Sequence, residues 1–475
     1  MNRIRAYTLA ISPLILSLLF ASVARGQDYR GDWQGRLDIG PGLRIVFHIK
    51  DTTGGRLVAR ADSPDQNAWG LPCDSTYLAA GSIHIEMRKL RAAFVGKLSG
   101  DSVIEGTFTQ GAPIPLRLVR ATKEDASRPQ DPRPPFPYQT ADLVYQGRKT
   151  GLSYGATISI PPGKGPFPAV ILVTGSGQQN RDEELMGHRP FAVLADALAR
   201  KGTLVLRVDD RGIGKSTGDF SRSTSEDFAA DVSEGLDFLL SRPEVKKTAL
   251  GIIGHSEGGM IAPIVSAGRR DVAFVILLAA PGIPIHALMA EQSTAILRSS
   301  GVPGTALNAY LPFYKSLMKE LTSGSDSAAA VNAARNYMNN WAAGTDTSIL
   351  SALQLNSPLA RLNMFRTLAP VARNPWFRYF FAFDPAPYLE KMQMKILALN
   401  GEKDIQVLPA SNMKGIRDAL DKGGNKKYTA KVLPGLNHLF QTCQTCSIAE
   451  YSQLKETFSP EALKEITGWL EREVK

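Results

Sequence analysis

Apolar and polar positions follow two different patterns along this chain. Between residues 28 and 120 the apolar residues come in short runs rich in β-branched and aromatic side chains, such as GLRIVFHI and SVIEGTFTQG, with Gly, Asp and Ser between them at close spacing. Runs of this kind are typical of strands joined by hairpins. The pattern therefore predicts a small all-β domain, a sandwich or a barrel, over residues 27–123.

A proline-rich segment, SRPQDPRPPFPYQT, follows this region. Proline lacks an amide hydrogen and fixes φ, so the segment can be neither a helix nor a central strand. We interpret residues 124–140 as a stiff linker between two domains.

From residue 141 onwards, nearly continuous apolar runs end in turn residues, and helical patterns lie between most of them. The apolar runs are FPAVILVTG, GTLVLRVDD, ALGIIGH, VAFVILLAA and MKILALNG. A helical pattern at 225–240 follows a capping signal formed by Thr224 and Asp227. Buried strands that alternate with amphipathic helices predict an α/β domain with a mostly parallel sheet over residues 141–475.

One interval breaks this alternation. Residues 283–390 hold helical stretches and an aromatic cluster, NPWFRYFFAFDPAPYL, but no convincing buried strand. The carboxyl ends of parallel strands meet at one edge of the sheet, so an insertion between two such strands lies over that edge. We expect a helical cap there, with about half of its aromatic residues in the cap core and others, including Trp376, Phe377 and Phe380, around an apolar substrate pocket.

The motif G-x-S-x-G occurs three times, at Ser153, Ser216 and Ser256. Ser153 has no buried strand before it, and Ser216 lies in a polar loop. Only Ser256 directly follows an apolar strand and precedes a helix of small residues. A strand that turns at once into a helix exposes the serine on a sharp elbow, where flanking glycines avoid collisions. We therefore predict that Ser256 is a nucleophile.

A serine hydroxyl needs a base to become a good nucleophile, and the base needs a carboxylate that orients it. In this architecture the acid and then the histidine follow the nucleophile, each just after a strand. Asp404 lies in the loop after MKILALNG, and His438 lies in the loop after KYTAKVLP. Glu402 and Asp384 are close enough in sequence to compete with Asp404 as the acid.

Acyl transfer also needs two N–H donors for the negative oxygen of the tetrahedral intermediate. We expect one from Glu257, the residue after the nucleophile, and the other from the turn TGSGQQNRDE after the first core strand. Ser176 is the predicted donor in that turn, with Gly177 as the alternative.

These segments together resemble the α/β-hydrolase superfamily over roughly residues 140–475. TGSGQQNRDE, DDRGIGKSTG, GHSEGG, LNGEKDIQV and GLNHLFQ carry the likeness, and they look like exported bacterial serine esterases of the serine-aminopeptidase-like or dienelactone-hydrolase-like branch. The resemblance implies Ser256, Asp404 and His438 as a triad, a small-molecule carboxylic ester as substrate, and no cofactor. We expect the acyl group of the ester to be short to medium in length. Thr174 departs from it, because many relatives have histidine before the oxyanion glycine.

Two other functions compete with an esterase. A peptidase acting on short peptides or acylated amino acids would use the same triad and would need a carboxylate in its pocket, for which Glu257 and Asp384 are candidates. A binding protein on an inactive hydrolase scaffold is the third possibility. An intact triad in the right order argues against it.

The charge and the cysteine content limit which binding partners, metal sites and disulfides we expect. The formal charge of +10 is spread along the chain without a Lys/Arg run that carries interleaved aromatic residues, so no nucleic-acid partner is expected. The His and Cys spacing matches no zinc site, and no metal is expected. Cys443 and Cys446 are expected to form a local disulfide, which leaves Cys73 over and, we expect, buried.

The first 26 residues have the pattern of a signal peptide. Arg3 and Arg5 precede an apolar stretch that contains Pro13, and Ala24-Arg25-Gly26 offers small residues to a signal peptidase. We expect cleavage after residue 26 and export to the periplasm or the medium, with an uncleaved membrane anchor as the alternative. No later stretch is long and apolar enough to span a bilayer, so the mature form should be soluble.

Overall fold

The computed structural model describes residues 28–38, 43–52, 54–63, 68–121, 128–322, 327–369 and 374–474. The expected signal peptide, residues 1–26, lies outside this range, as does the first part of the expected linker. The chain divides into two compact units, which meet in the sequence at residues 122 and 123.

The first unit is all β, as predicted. Its core is formed by side chains from one face of the strands, among them the fully buried Trp33, Phe47 and Phe94. The strands are β1 (Gly31–Leu37), β2 (Leu43–Asp51), β3 (Leu57–Ser63), β4 (Ala68–Pro72), β5 (Ser75–Ala79), β6 (Ser82–Met87), β7 (Ala92–Ser99), β8 (Val103–Gln110) and β9 (Ala112–Arg120).

These strands form one nine-stranded antiparallel sheet rather than two packed sheets, in the order β4-β3-β2-β1-β9-β8-β7-β6-β5. Strands β3 and β5 lie close together although they are not hydrogen-bonded neighbours, which shows that the sheet curls. Of the two architectures expected from the sequence, the barrel is therefore nearer to the observed one.

The second unit contains a mostly parallel sheet, which confirms the predicted fold class. Its strand order is β10-β11-β13-β12-β14-β15-β16-β17, and β11 alone runs antiparallel to both of its neighbours. The strands are β10 (Gln139–Gln146), β11 (Ser153–Ile160), β12 (Phe167–Val173), β13 (Leu204–Val208), β14 (Val245–His255), β15 (Phe274–Leu278), β16 (Lys395–Gly401) and β17 (Tyr428–Leu433).

Helices cover both faces of this sheet. Alternate residues of β12 belong to two different hydrophobic clusters: Ala169, Ile171 and Val173 pack on one side, Val170 and Leu172 on the other. On the first side lie α2 (Ser225–Leu240), α3 (Glu257–Ala267) and α11 (Pro409–Lys422), and on the second lie α1 (Pro190–Arg200) and α13 (Pro460–Glu473). The capping box predicted for α2 is present at Thr224 and Asp227.

The interval between β15 and β16 is helical, with a hydrophobic cluster of its own centred on residues such as Phe313 and Leu317. Its helices are α4 (Ile285–Ser299), α5 (Gly304–Thr322), α6 (Ser327–Ala343), α7 (Thr347–Ala352), α8 (Pro358–Leu368), α9 (Pro375–Ala382) and α10 (Ala386–Leu389); the short α12 (Ile448–Tyr451) follows β17. Within the described residues, no helix is both long and apolar enough to cross a membrane.

The disulfide is the one expected from the sequence, but the burial of the third cysteine differs from the expectation. Cys443 and Cys446 form a disulfide. Cys73 is only partly buried, not buried as expected, because it lies in the turn between β4 and β5 at the edge of the curled sheet. Burial raises the pKa of this thiol to about 11, which keeps it in the unreactive neutral form.

Candidate active site

Ser256 lies on the elbow between β14 and α3. Its backbone has φ of +53° and ψ of −116°, a conformation that L-residues rarely adopt, and its N–H donates to the Leu278 carbonyl at 2.9 Å. A Cβ on Gly254 would lie 2.1 Å from the Gly258 carbonyl oxygen, and one on Gly258 would lie 2.1 Å from that of Val173. Glycine is therefore required at both positions for the strand to turn directly into the helix.

The structure brings the three residues of the predicted triad together. Nε2 of His438 lies 3.1 Å from Oγ of Ser256, and Nδ1 of His438 lies 2.8 Å from Oδ2 of Asp404. The backbone N–H groups of Gln406 and Val407 donate to the other oxygen, Oδ1, of Asp404 at 2.8 and 2.9 Å. The carboxylate is thus held by the loop that carries it, while its second oxygen orients the imidazole.

The rival residues lie elsewhere. Glu402 accepts the N–H of Gly435, and the exposed Asp384 accepts that of Ala386, so neither contacts His438. The hydroxyl of Ser216 is buried between the Asp209 carbonyl and the Gly155 N–H. Ser153 begins β11 and hydrogen-bonds the side chain of Gln146. Because these groups bond to other partners, Ser256 and Asp404 have the geometry that the competing residues lack.

Two candidate oxyanion donors face the same cavity as the Ser256 hydroxyl. Glu257 is the first residue of α3, so its N–H has no acceptor within the helix. Ser176 lines the cavity next to Ser256, whereas Gly177 lines a neighbouring one. The N–H of Gly175 donates to Glu183 at 2.7 Å and is therefore already used. This arrangement favours Ser176 over Gly177 as the second donor.

The turn that carries Ser176 is held by side chains that the sequence analysis missed. Oδ1 of Asp210 accepts the Thr174 hydroxyl at 3.0 Å, and Oδ2 accepts the N–H of Gln179 at 2.8 Å. Burial raises the pKa of Asp210 to about 8. Thr174 therefore does supply side-chain support to the turn, through Asp210. The signal in the sequence was the acidic pair that directly follows β13.

The side chain of Glu257 links the cap to the catalytic sheet. Its Oε1 accepts the Ser225 hydroxyl at 2.6 Å and the Trp376 indole N–H at 2.7 Å, and the Ser176 side chain also hydrogen-bonds it. Burial raises the pKa of this carboxyl. Because its oxygens receive donors from the protein itself, Glu257 is poorly suited to bind the amino terminus of a peptide.

A cavity of about 340 Å³ opens beside Ser256 and His438. Trp376, Phe377 and Phe380 of α9, the candidate pocket residues, line it. Four other aromatic residues of the segment 374–389 pack in or against two hydrophobic clusters to which the cap helices contribute, namely Tyr379, Phe381, Phe383 and Tyr388. Among the residues that the structure describes, no group of three His, Cys, Asp or Glu side chains could hold a metal ion.

Comparison with known proteins finds one matching family model and several curated relatives. Residues 188–354 match the model of the family described as serine aminopeptidase, S33. The chain is 30% identical over 183 residues to esterase EstD of Thermotoga maritima, covering 38% of this chain and 42% of that protein. It is 27% identical over 263 residues to acyl-coenzyme A thioesterase 3 of Mus musculus, covering 55% of this chain and 49% of that protein.

Solved structures with a similar arrangement include an esterase of Pyrococcus furiosus, with 14% identity, 75% of this chain and 95% of that chain covered, and a TM-score of 0.43. Another is Est1E of Butyrivibrio proteoclasticus with ferulic acid bound, with 14% identity, 70% and 99% covered, and a TM-score of 0.41. The chain spans less than half the length of the two curated relatives named above.

Proposed function

We propose that this chain, which is similar to enzymes of the α/β-hydrolase superfamily, hydrolyses carboxylic esters through an acyl-enzyme intermediate. The observation that carries the proposal is the hydrogen-bonded series Ser256–His438–Asp404 at the wall of an aromatic-lined cavity. Acyl transfer needs this combination of nucleophile, base and orienting carboxylate. The likeness to an esterase and to acyl-thioester hydrolases supports the same reaction class.

The geometry suggests how the reaction proceeds. Nδ1–H of His438 donates to Asp404, which leaves Nε2 free to accept the proton of the Ser256 hydroxyl as Oγ attacks the ester carbonyl. The oxygen that becomes negative receives the N–H groups of Glu257 and Ser176. Protonated His438 then gives its proton to the departing alkoxide. Water, deprotonated by His438, attacks the acyl-enzyme, and His438 returns the proton to Oγ of Ser256 as the acid is released.

The cavity supports a substrate with a short to medium acyl group. Its volume of about 340 Å³ lies at the small end of the range for ligand pockets. Trp376, Phe377 and Phe380 contribute apolar surface, and apolar walls favour an acyl chain over a charged group. The proposed division of labour is that the triad performs the reaction and the cap selects the acyl chain.

A peptidase acting on short peptides or acylated amino acids is the alternative, and the match to the serine aminopeptidase model favours it. Against it stands the carboxyl of Glu257, which is occupied by Ser225 and Trp376. The test is a panel of p-nitrophenyl esters of increasing acyl length, assayed beside aminoacyl anilides. Turnover of esters with little turnover of anilides supports the esterase, and the reverse result supports the peptidase.

An organophosphonate separates both enzymes from a binding protein, because it labels only an activated serine. The proposed enzyme should bind the reagent covalently and lose its esterase activity in proportion. A folded chain that neither reacts with the phosphonate nor turns over any ester or anilide would be a binding protein on a hydrolase scaffold.

We further propose that the protein is exported. The charge and hydropathy pattern of residues 1–26 and the Cys443–Cys446 disulfide both support an oxidising compartment outside the cytoplasm. Amino-terminal sequencing of the mature protein should find a start near Gln27. A mature form that retains residues 1–20 would favour a membrane anchor instead.

A further inference from the structure

A second histidine lies directly beneath the candidate triad. His255 precedes Ser256 on β14 and is buried. Its Nδ1 lies 2.8 Å from Oε1 of Glu183, and its Nε2 lies 3.0 Å from the backbone carbonyl oxygen of His438. The proposed reaction leaves both His255 and Glu183 without a role.

The partners of His255 determine how many protons its ring carries. A backbone carbonyl oxygen can only accept a hydrogen bond, and an ionised carboxylate can only accept one as well. Both ring nitrogens must therefore donate, which makes His255 an imidazolium. Burial alone would lower the pKa of His255, but the charge and hydrogen bond of Glu183, with the His438 carbonyl, outweigh it and raise that pKa.

Glu183 extends this pair to the oxyanion turn. The same oxygen that accepts from His255 also accepts the N–H of Gly175 at 2.7 Å. Gly175 approaches closely, since a Cβ there would lie 3.3 Å from Cβ of Ser256. One continuous series of hydrogen bonds thus joins the turn that carries Ser176, the strand that carries Ser256 and the loop that carries His438.

We propose that His255 is a positioning residue of the reaction, an imidazolium that, with Glu183, fixes the His438 loop and the oxyanion turn relative to Ser256. This inference rests on the proposed acyl transfer and adds a second histidine to it. The gain comes from preorganisation, because a small displacement of reacting groups lowers the rate steeply.

The charge of His255 has a separate, measurable consequence. Its ring centroid lies 4.8 Å from that of His438, and the ionisable groups that act on it are Glu183, its ion-pair partner, and Asp404, the partner of His438. A cation beside a reacting group opposes the gain of a further positive charge there, so the imidazolium bears on the pH dependence of the proposed reaction. Removing the cation should move the acid limb of the kcat/KM profile to higher pH.

The test compares three variants of the full chain with wild type: His255→Asn, Glu183→Gln and, as a matched histidine control, His286→Asn in the exposed part of α4. Rates are normalised to the concentration of serine that an organophosphonate titrates, so unfolded protein does not contribute. For His255→Asn we expect kcat per titrated site to fall about 10- to 100-fold with a smaller change in KM, and the acid limb to shift upwards. The control should match wild type.

Glu183→Gln keeps the test informative if His255→Asn fails to fold. Glutamine can accept from Gly175 and donate to Nδ1 of a neutral His255, so it preserves the contacts and removes the charges. We expect the acid limb to shift upwards here too, with a smaller loss of kcat. Nitrogen-15 spectra of the histidine rings should show both nitrogens of His255 protonated across the active pH range.

A wild-type rate per titrated site with an unmoved acid limb in either variant would overturn the proposal, as would a ring nitrogen of His255 without a proton. Failure of the wild-type protein to react with the phosphonate is a different result. It would remove the proposed acyl transfer itself, before any variant is compared.

Discussion

One histidine in each unit of the molecule lies between two hydrogen-bonding partners, but the two histidines differ in whether a partner can give up a proton to the ring. In the all-β unit, His48 lies between two carboxylates, with Nδ1 2.7 Å from Asp32 and Nε2 2.7 Å from Asp62. In the α/β unit, His438 lies between a carboxylate and a hydroxyl, Asp404 and Ser256. The second partner makes the difference, because a hydroxyl can give up its proton to the ring and a carboxylate cannot.

The consequence for His48 is a fixed positive charge. The hydrogen bond to Asp62 raises the pKa of His48 to about 9, with Asp32 adding to it and partial burial opposing it. These residues lie on three neighbouring strands, β1, β2 and β3, so the cation ties strands together. In the proposed reaction, His438 instead keeps one nitrogen available for a proton that leaves Ser256. A carboxylate beside a histidine therefore does not by itself indicate catalysis.

The largest effect is expected at the nucleophile. Ser256→Ala removes the atom that attacks the ester, so kcat should fall by about 10⁴- to 10⁶-fold while the melting temperature stays close to that of wild type. Steady-state hydrolysis of a p-nitrophenyl ester measures it. Ser153→Ala is the matched control. If that variant loses activity while Ser256→Ala retains it, the nucleophile is Ser153 rather than Ser256.

Asp404→Asn tests the partner that distinguishes His438 from His48. The amide cannot stabilise the imidazolium that forms in the transition state, and it favours the wrong tautomer, so we expect a loss in kcat of about 10⁴-fold. Glu402→Gln, which changes a carboxylate on the same loop, should retain nearly full activity. The assignment fails if Asp404→Asn turns over normally and Glu402→Gln or Asp384→Asn does not.

The cap aromatics should change selectivity more than rate. Phe377→Ala and Phe380→Ala enlarge the cavity, so relative kcat/KM should move towards longer acyl groups. Each added methylene is worth about 1–3 kcal/mol, which makes the change graded. Phe381→Ala, whose ring packs in the cap core rather than at the cavity, is the control. An unchanged chain-length profile in both cavity variants, each shown to be folded, would exclude the cap as the selector.

The smallest effect concerns His48. Because its pKa is raised in the folded state, its stabilisation is complete below about pH 6.5 and is lost as the pH rises through about 9. Solvent screening limits the effect to about 1 kcal/mol or less. The hydrogen-exchange protection of β1–β3 in the full chain, corrected for the intrinsic base-catalysed exchange rate, should fall over this pH range in wild type. His48→Gln should abolish this loss of protection, and an identical profile of protection against pH in both proteins would contradict it.

The sequence predicted those parts of the molecule that depend on local pattern. Strands β12 to β16 contain apolar runs, and the Ser256 elbow needs glycine two positions before and two positions after the serine. The apolar pattern of the sequence did not predict strands β10 and β11, for two different reasons. β10 is an edge strand with mostly exposed residues, and β11 is buried but built from small and hydroxylated side chains. Neither has the pattern of large apolar residues by which the core strands were identified.

Long-range contacts that support the site could not be predicted from the sequence. Glu183 contacts His255 across 72 positions of sequence, and Trp376 contacts Glu257 across 119. Such pairs depend on the path of loops above the sheet, which no local periodicity encodes. The position of a residue just after a strand, by contrast, is visible in the sequence, and that is why Asp404 and His438 could be chosen.

The central claim, that Ser256 is activated by His438 and Asp404, is tested most directly by mapping a covalent phosphonate label. Wild-type protein is reacted with a phosphonate ester, digested, and analysed by mass spectrometry over a time course. The account predicts one adduct, on Ser256, that forms quickly in wild type, slowly in Asp404→Asn and not at all in Ser256→Ala. An adduct on another serine, or labelling at an equal rate in Asp404→Asn, would contradict it.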